Sequence, residues 1–563
     1  MFNGMLTGQC SEVILHTNEF KTAVCCLSSV NLEKYDEWKD DPVFIEDMYY
    51  FLDGVLIQGL ILIKVLQGDN YRQVRDMLID SGYQLEPSPQ AWQRLQRYLL
   101  NELQRAEPAI CVERTGWHSE GFVSLGWSAP RHNAKLYLLR KSQDLELSSS
   151  GTLEQWQEEI GKLCIANPML IFCCGVALSA PLLCSSGVEN VIFHLNGDSG
   201  SGKTTALKVA TSVLGDESLM RTWLSTANGL TAAAALHHDI PLLLDEISQA
   251  KAEDVDTAVY SISNGRPKLR ANEAGQLAIG EPWRTVALST GEVTLAEHMV
   301  QLGKEPLAGQ LSRVVEIPVT GQFGLFDALH GFKRPDLLAD ELQRRCQRYY
   351  GTLFPAWANR LVSYEETELA RKVSDLLYYR SELMREDAEI ILGYGVSPQV
   401  MRVIRRLALV QVALIMANNF NLLPWLEHHS VNVINHCFSL WLKNRGHGLD
   451  TEDYRLFCML KAAIQCWGPY IRPLEGRLSS SVGYSRTYQG ESQWLVKTDV
   501  LKQALNLRPQ YRSQMLRLVK KDWLQFNELD RLTLKVVQEK KSARYFAIWP
   551  ERIKRDLTEL EVD

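Results

Sequence analysis

The sequence predicts a multidomain α/β protein built on a parallel sheet, and three observations predict it. Residues 191–330 alternate apolar, strand-like runs with helical segments, an order typical of parallel sheets covered by helices. From Leu337 onward the pattern is helical, with long periodic segments at 398–418 and 429–443. Residues 491–550 end in the order helix, helix, strand, strand, which is the order of a winged helix.

A chain of 563 residues is too long for one ordinary hydrophobic core, so we expect several domains. Changes of pattern divide it into a small α+β domain (1–105), an N-terminal extension of the central unit (106–190), the central sheet (191–330), a helical lid (331–450) and a winged-helix domain (451–563). The stretch 474–490 is rich in Ser and Gly and is interpreted as a linker or exposed loop.

Composition excludes several classes of protein. With 46% hydrophobic and 23% charged residues, the chain is neither largely disordered nor fibrous. A net charge of -7 excludes a wholly basic surface but is compatible with a basic interior channel for nucleic acid. The 12 cysteines show no C-x-x-C and no zinc-ligand spacing, which fits a reducing, cytoplasmic compartment. Residues 1–12 lack the pattern of a signal peptide.

The segment 168–188 is almost free of charge and about long enough to cross a bilayer. Pro181 interrupts it, and three serines break its apolar character. We therefore expect a buried helix packed on the sheet, with a membrane span as the alternative, and no membrane partner.

The strongest motif is Gly197–Thr204, which matches G-x-x-x-x-G-K-[ST] completely between an apolar strand and a helix. Such a loop turns backbone N–H groups toward phosphates at a helix N-terminus. Lys203 is expected to reach the β- and γ-phosphates of ATP, and the Thr204 hydroxyl to bind Mg²⁺. The predicted nucleotide contacts are Gly197, Asp198, Ser199, Gly200, Ser201, Gly202, Lys203, Thr204 and Thr205. The alternative is a chance match in a flexible Gly/Ser loop.

Two carboxylates follow in sheet order, at the end of the apolar run 241–244. Asp245 is expected to hold Mg²⁺ through water, and Glu246 to orient and polarise the attacking water. Together with the phosphate loop, this pair predicts ATP hydrolysis rather than nucleotide binding alone.

Two further strand ends carry candidate residues. The strand 283–290 ends in hydroxyls, of which Thr290 would contact the γ-phosphate or the attacking water; an ordinary strand end is the alternative. Arg313 directly precedes another strand and is a candidate arginine finger for a neighbouring subunit, the alternative being a surface arginine.

Between these strands, residues 264–279 predict a hairpin that turns at Ala274-Gly275. Lys268 and Arg270 on one arm are candidates for gripping a phosphate backbone inside a ring, the alternative being a solvated charged hairpin.

Residues 491–550 contain twelve Lys or Arg and six Asp or Glu, a local net charge of +6. The segment 510–521 would be the recognition helix, presenting Arg512, Arg517 and Lys520 to DNA. Lys540 and Lys541 would lie at the tip of the wing. Winged helices also serve as protein–protein adaptors, which is the alternative.

Several separated motifs resemble one bacterial family, long labelled a domain of unknown function. They are Gly116-Trp117-His118, residues 151–156, the phosphate loop, Leu244–Ile247, Ser263-Asn264-Gly265 with Lys268-Leu269-Arg270, and Leu288–Glu292. The family occurs in prophage, plasmid and chromosome-cassette replication proteins, and its best understood members are AAA+ helicases related to the minichromosome-maintenance (MCM) helicases. The resemblance covers roughly residues 40–450.

The resemblance implies a P-loop ATPase of the AAA+ class, a hexameric ring with ATP sites between subunits, and a pore-facing hairpin carrying Lys268 and Arg270. It implies sensor 1 at Thr290 or Ser289, the arginine finger at Arg313, and sensor 2 at Arg402 or Arg405. The chain departs from MCM proteins in using Ser-Thr where they use Asn at sensor 1. A zinc-binding N-terminal domain and the primase of many relatives are also missing, so a separate primase or polymerase would be needed.

The first hypothesis is therefore an ATP- and Mg²⁺-dependent, ring-forming DNA helicase or translocase for replication of a mobile genetic element. One alternative is a non-unwinding, ATP-switched origin-binding initiator or helicase loader. Another is a DNA-dependent ATPase of anti-phage defence.

Overall fold

The computed structural model describes residues 107–559 with short gaps, and three short strands before them. The gaps are 109, 113, 125, 133–135, 139–146, 268–269, 272–276, 279–281, 304–312, 476–479, 508–510, 526–531 and 539–540. The early strands form a four-stranded sheet in the order Gly59–Leu62, Val24–Leu27, Ser11–Val13, Glu107–Pro108. The rest of the predicted α+β domain lies outside the described residues.

The centre of the molecule is a five-stranded sheet in which every pairing is parallel. Its strands lie in the order Met220–Thr222, Leu242–Asp245, Val286–Gly291, Val191–Asn196, Val314–Pro318. The strand Val191–Asn196 is buried almost throughout, as expected for a parallel sheet covered on both faces. The predicted parallel α/β unit is confirmed.

Helices connect these strands and cover the sheet. They are Lys203–Leu214, Ala227–Leu236, Ala252–Asn264 and Leu295–Gln301. Local sequence sets where they begin: the Thr226 side chain accepts a hydrogen bond from the Gly229 N–H, and Thr294 forms a capping box with Glu297. Because the strands are parallel, their carboxyl ends lie at one edge of the sheet and their amino ends at the other.

The apolar segment is a helix, Pro168–Ser179, which continues through Ala180–Leu182 into Leu183–Ser186. Every residue from Met169 to Leu183 is buried. Among the described residues this helix alone is long and apolar enough to cross a membrane, but 89% of its most apolar window is buried inside the protein. It packs on the helix Lys203–Leu214 and on two lid helices, so the expectation of a core helix is confirmed.

The region before this helix holds small sheets and one irregular helix. Ile110–Val112 pairs with Leu136–Leu138, and Gly116–His118, Gly121–Val123 and Ser128–Pro130 form an antiparallel sheet. The helix begins at Leu153 with a capping box between Thr152 and Gln155, widens to a π-helical turn over Gln157–Gly161, and ends at Cys164.

The region after the sheet is helical, as predicted. Its helices are Pro335–Cys346, Leu353–Val362, Glu366–Leu392, Pro398–Asn419 and Glu427–Arg445. Their buried faces join the sheet and the Pro168–Ser179 helix in one continuous hydrophobic cluster. The helices of the predicted lid are therefore packed as part of the same core.

The C-terminal region has its own hydrophobic cluster. A helix, Thr451–Trp467, leads into a five-stranded sheet in the order Ile471–Pro473, Gly483–Tyr488, Glu491–Lys497, Lys541–Ile548, Leu534–Gln538. Helices Thr498–Ala504 and Arg512–Lys520 lie between the third strand and the final hairpin, and Pro550–Glu559 follows it.

The interpretation of 474–490 as a linker is wrong for its second half. Gly483–Tyr488 pairs along its whole length with Glu491–Lys497. Glycine is required at Gly483 by a close backbone approach, because a Cβ there would clash with the carbonyl of Leu495. The small residues that suggested a loop therefore belong to a tightly paired strand.

Candidate functional site

The phosphate loop (Gly197–Thr204) joins the carboxyl end of the strand Val191–Asn196 to the helix Lys203–Leu214. Gly200 and Gly202 have φ of +72° and +94°, a backbone conformation that side-chain-bearing residues rarely adopt. Gly202 precedes the helix, and no side chain caps it. The first N–H groups of the helix are therefore available to an anionic ligand.

Lys203 is held inside this loop. Its Nζ donates hydrogen bonds to the carbonyl oxygens of Gly197 and Asp198 at 2.7 and 2.8 Å, and to Ser201 Oγ at 3.2 Å. Burial lowers the pKa of Lys203, while the nearby carboxylates, first Glu246 and then Glu292, act in the opposite direction. The ammonium thus occupies the centre of the loop, where phosphate oxygens would meet it.

Three predicted residues meet beside the loop. Thr204 Oγ1 donates to the Asp245 carboxylate at 3.3 Å, and Thr290 Oγ1 donates to Asp245 Oδ1 at 2.5 Å. Thr290 Oγ1 in turn accepts from the backbone N–H of Glu246 at 3.2 Å. These hydroxyl and carboxylate oxygens are the ligand type that Mg²⁺ prefers, so the donor set fits the predicted metal.

Glu246 lies at a conformationally special position. Its φ is +57°, and its carboxylate accepts hydrogen bonds from the N–H and hydroxyl of Ser248. One carboxylate oxygen is thus held against its own chain in this state. The sequence motif predicted Glu246 but gave no indication of Ser248.

The choice between Ser289 and Thr290 is decided by the pleat of their strand. Ser289 Oγ contacts His194 Nδ1 at 2.9 Å and accepts from Trp223 Nε1 at 2.8 Å, on the buried side away from Asp245. Burial lowers the pKa of His194 to about 4, so this ring is neutral at pH 7. Thr290 is therefore the hydroxyl that faces Asp245 beside the phosphate loop, and Ser289 makes buried contacts on the other face of its strand.

Arg313 and Arg402 lie together at the opposite edge of the sheet. They line a cavity of about 510 Å³, here named the arginine pocket, whose arginines are Arg266, Arg284, Arg313, Arg402 and Arg406. Arg313 donates to Asn264 Oδ1 at 3.2 Å and stacks over Tyr260 with 4.7 Å to the ring centre. Arg405, the other sensor 2 candidate, does not line this pocket.

The charge of one arginine of the pocket, Arg284, is neutralised by a buried carboxylate. Arg284 forms a two-pronged ion pair with the fully buried Asp239, at 2.7 and 2.8 Å. Asp239 also accepts from the Trp117 backbone N–H at 3.2 Å, which ties the N-terminal extension to the sheet. Burial acts to raise the pKa of the Asp239 carboxyl, but hydrogen bonds and charges from His238 and Arg284 hold it below its usual value.

The two halves of the predicted site are far apart within one chain. The phosphate loop follows the carboxyl end of Val191–Asn196, whereas Arg313 precedes the neighbouring strand and lies beside the amino end of Val191–Asn196. A six-residue strand spans about 20 Å. Arg313 therefore cannot reach the γ-phosphate position of its own subunit.

The structure describes most, but not all, of the predicted DNA-binding residues. Arg270 lies on a short strand that pairs with Leu277–Ala278, as the predicted hairpin requires, and Lys541 begins the final strand. Lys268 and Lys540 lie outside the described residues. Arg512 and Lys520 are exposed on the helix Arg512–Lys520. Arg517 pairs through Nη1 with Asp453 at 2.5 Å, and its contact with DNA stays a prediction.

Sequence reasoning missed three contributors to the site. Glu292 follows directly on the strand Val286–Gly291 and is one of the carboxylates near Lys203. Gly324 lets the segment after the last sheet strand approach the phosphate loop, where Leu325 N–H donates to the carbonyl of Ser201 at 2.7 Å. Arg406 joins the arginine pocket. Glu292 ends the motif Leu288–Glu292, but the motif assigned it no role. Gly324 and Arg406 lie in no motif, so only the fold brings them to the site.

A family model described as "Domain of unknown function (DUF927)" matches residues 54–279. That range includes the phosphate loop and Asp245-Glu246. The predicted resemblance to a family with that label is confirmed to this extent.

Among solved structures, the chain is similar to one titled "SCCmec type IV Cch - active helicase", with a TM-score of 0.61, 16% identity, and 96% of this chain and 95% of that chain covered. This likeness shows a shared fold over almost the whole chain. The apo structure of the NrS-1 C-terminal region matches with a TM-score of 0.24 at 11% identity over 58% of this chain and 82% of that one. That overlap is too small to indicate a common fold.

A 56-residue segment is 64% identical to the large subunit of ribonucleoside-diphosphate reductase from Invertebrate iridescent virus 6. It makes up 10% of this chain and 6% of that protein. A second such subunit, from Invertebrate iridescent virus 3, is 51% identical over 47 residues, 8% of its length. The chain thus spans only a small part of the curated relatives it matches, and the match indicates no shared activity.

Proposed function

We propose that this chain is an ATP-dependent DNA helicase or translocase that acts in the cytoplasm as a homo-oligomeric ring, a hexamer by the family resemblance, in replication of a mobile genetic element. The observation that carries the proposal is the separation of the phosphate loop from Arg313 across the sheet. A complete site then requires two subunits, one offering the phosphate loop and the next offering its arginine pocket.

In this proposal ATP binds at the phosphate loop, with the contacts given above for Gly197–Thr205. Mg²⁺, held by Thr204 and Asp245, would neutralise phosphate charge. Glu246 orients the attacking water and accepts its proton, which requires its carboxylate to turn from Ser248. Thr290 fixes Asp245 and the backbone of Glu246, so the carboxylates keep their spacing.

The neighbouring subunit supplies positive charge to the same reaction. Arg313 as the finger and Arg402 as sensor 2 would stabilise the negative charge that develops on the transferred phosphoryl group. Their position at the amino edge of the strands supports this role in the neighbour's site.

DNA contacts are assigned to two regions. The hairpin bearing Lys268 and Arg270 would track the backbone in the pore, and Arg512, Lys520, Lys540 and Lys541 would contact duplex through a winged helix. Strand pairing of Arg270–Ala271 with Leu277–Ala278 and the exposure of Arg512 and Lys520 support this assignment. Priming falls to a separate primase or polymerase.

The direct test is ATP-dependent unwinding of a forked duplex by the purified protein beside Glu246→Gln. We expect strand separation by the wild type, and ATP binding without turnover by the variant. ATP hydrolysis without strand separation would instead favour an initiator, a loader or a defence ATPase.

The shared site is tested by mixing two inactive variants. Lys203→Ala lacks a working phosphate loop but keeps Arg313, and Arg313→Ala is its complement. In randomly mixed rings roughly a quarter of the interfaces combine an intact loop with an intact finger, so ATPase activity should reappear on mixing. If the mixture stays as inactive as its components, the site is not shared between subunits.

A further inference from the structure

The arginine pocket holds one acidic side chain among its charged lining, Glu189. Its Oε2 lies 3.5 Å from Nη2 of Arg406. The two partners differ in mobility, because the Arg406 side chain is 4% exposed and that of Glu189 is 77% exposed. The Arg406 side chain is fixed by packing, whereas the Glu189 side chain can turn into solvent at little cost.

Positive charge is crowded around this contact. Arg313 and Arg402 both repel the guanidinium of Arg406, and burial is the largest of the effects that lower the pKa of Arg406 to about 10. The charge of Arg284 is already neutralised by Asp239, so Arg284 adds little to the net positive charge of the pocket. The remaining guanidiniums of Arg313, Arg402 and Arg406 share a cavity wide enough for several phosphate groups.

We propose that Glu189 is an exchangeable counter-ion for Arg406, and that a polyphosphate, the tail of the nucleotide bound to the adjoining subunit, displaces it. Arg406 is then a third phosphate-binding residue of the shared site, beside Arg313 and Arg402. The exchange replaces one exposed carboxylate by a group of higher charge that offers paired oxygens to the guanidinium. The identity of the polyphosphate as the neighbour's ATP rests on the proposed function, whereas anion binding by the pocket does not.

The first experiment measures binding of inorganic tripolyphosphate by calorimetry to Lys203→Ala protein, whose own phosphate loop is disabled. Glu189→Gln in that background should tighten binding about three- to fivefold, because a competing surface charge is removed. Arg406→Gln should weaken binding most, because only Arg313 and Arg402 then hold the anion. Arg406→Lys should weaken it less, since an ammonium keeps the charge but lacks the bidentate geometry. Glu158→Gln, which removes another exposed carboxylate with a basic partner, should change nothing.

The exchange is tested by combining substitutions. In Arg406→Gln protein the effect of Glu189→Gln on affinity should disappear, because Glu189 and tripolyphosphate no longer compete for the Arg406 guanidinium. The proposal is overturned if Glu189→Gln leaves tripolyphosphate affinity unchanged, or if it tightens binding equally with and without Arg406. Glu189→Gln changes a surface residue, so this outcome can be read even where Arg406→Gln does not fold.

A second readout separates this inference from the ring model. In the wild-type background, Glu189→Gln should lower the KM for ATP by a similar factor if the polyphosphate is the neighbour's nucleotide. Tripolyphosphate binding that depends on Arg406, with no change in KM and no recovery when Lys203→Ala and Arg313→Ala are mixed, would retain the pocket and reject the shared ATPase site.

Discussion

Thr290 Oγ1 donates a 2.5 Å hydrogen bond to Asp245 Oδ1, and so joins the ends of two neighbouring strands at the nucleotide edge of the sheet. The same oxygen accepts from the backbone N–H of Glu246. One hydroxyl therefore positions the Asp245 carboxylate and the backbone of Glu246. An Asn at this position, as MCM proteins have, would bear an amide group in place of this hydroxyl.

We expect Thr290→Val to bind ATP with a nearly normal KM but to turn it over more slowly, by on the order of 100-fold. Valine keeps the branched shape and removes the hydroxyl that positions the Asp245 carboxylate and the backbone of Glu246. Steady-state ATPase kinetics measure kcat and KM separately. Thr290→Ser keeps the hydroxyl and is the matched control, which should stay within a few-fold of wild type; equal loss in both variants would point to packing instead.

Glu316 gives the fold a specific dependence on pH. Burial raises its pKa to about 7, and its Oε1 accepts from the Leu295 N–H at 2.6 Å. The pKa of Glu316 is higher in the folded than in the unfolded protein. Protonated Glu316 therefore stabilises the folded state in acid, and this stabilisation is lost as the pH rises from about 4.5 through 7.

We therefore expect Glu316→Gln to match the wild type in stability near pH 5 and to exceed it at pH 8, by on the order of 3 kcal/mol. The measurement is the difference in thermal midpoint between the two proteins at each pH, in which contributions from groups such as His194 cancel. A difference that does not change with pH would mean that Glu316 is ionised in the folded state.

In the C-terminal region, Arg512→Ala and Lys520→Ala should each weaken DNA binding and reduce the salt dependence of the affinity by about one ion. Arg517→Ala should leave that slope unchanged, because Asp453 already holds the side chain. It should instead lower the stability of the region by up to about 1 kcal/mol. Fluorescence anisotropy on a short duplex at several salt concentrations measures the slopes; a reduced slope for Arg517→Ala would mean that the ion pair opens on binding.

Gly175 lets the apolar helix approach the lid closely. A Cβ there would lie 2.8 Å from side-chain atoms of Leu414 and Val410. We expect Gly175→Val to destabilise the region of the central sheet by about 1–3 kcal/mol through overpacking. Thermal unfolding should show a lower midpoint. Gly395→Ala should be nearly neutral, because Gly395 is exposed and a Cβ there would make only an ordinary contact, 3.8 Å from Glu389 Oε1.

The parallel sheet, the phosphate loop and Asp245-Glu246 could be predicted because each depends on residues close together in the sequence. Periodicity set the strands and helices, and the spacing of Gly, Lys and Thr set the loop. The order of the strands was not predicted, because alternation alone does not decide which parallel strands are neighbours.

The arginine pocket could not be predicted, because Glu189, Arg313 and Arg406 meet only after the lid has packed against the sheet. The pairing of Arg517 with Asp453 could not be predicted either, because the two residues lie 64 positions apart. The strand Gly483–Tyr488 was mistaken for a loop since small residues mark both flexible segments and close backbone contacts.

The helix Pro168–Ser186 also determines how the chain must be made. Most of the helices that cover it leave the ribosome after it, and the last of them, Glu427–Arg445, is completed about 260 residues later, roughly 10–50 s at ordinary translation rates. Until then part of this segment, which is as apolar as a membrane anchor, stays uncovered. Synthesis of this protein in active form thus depends on whatever shields that segment on the ribosome, and messages cut short before residue 445 should yield products that aggregate.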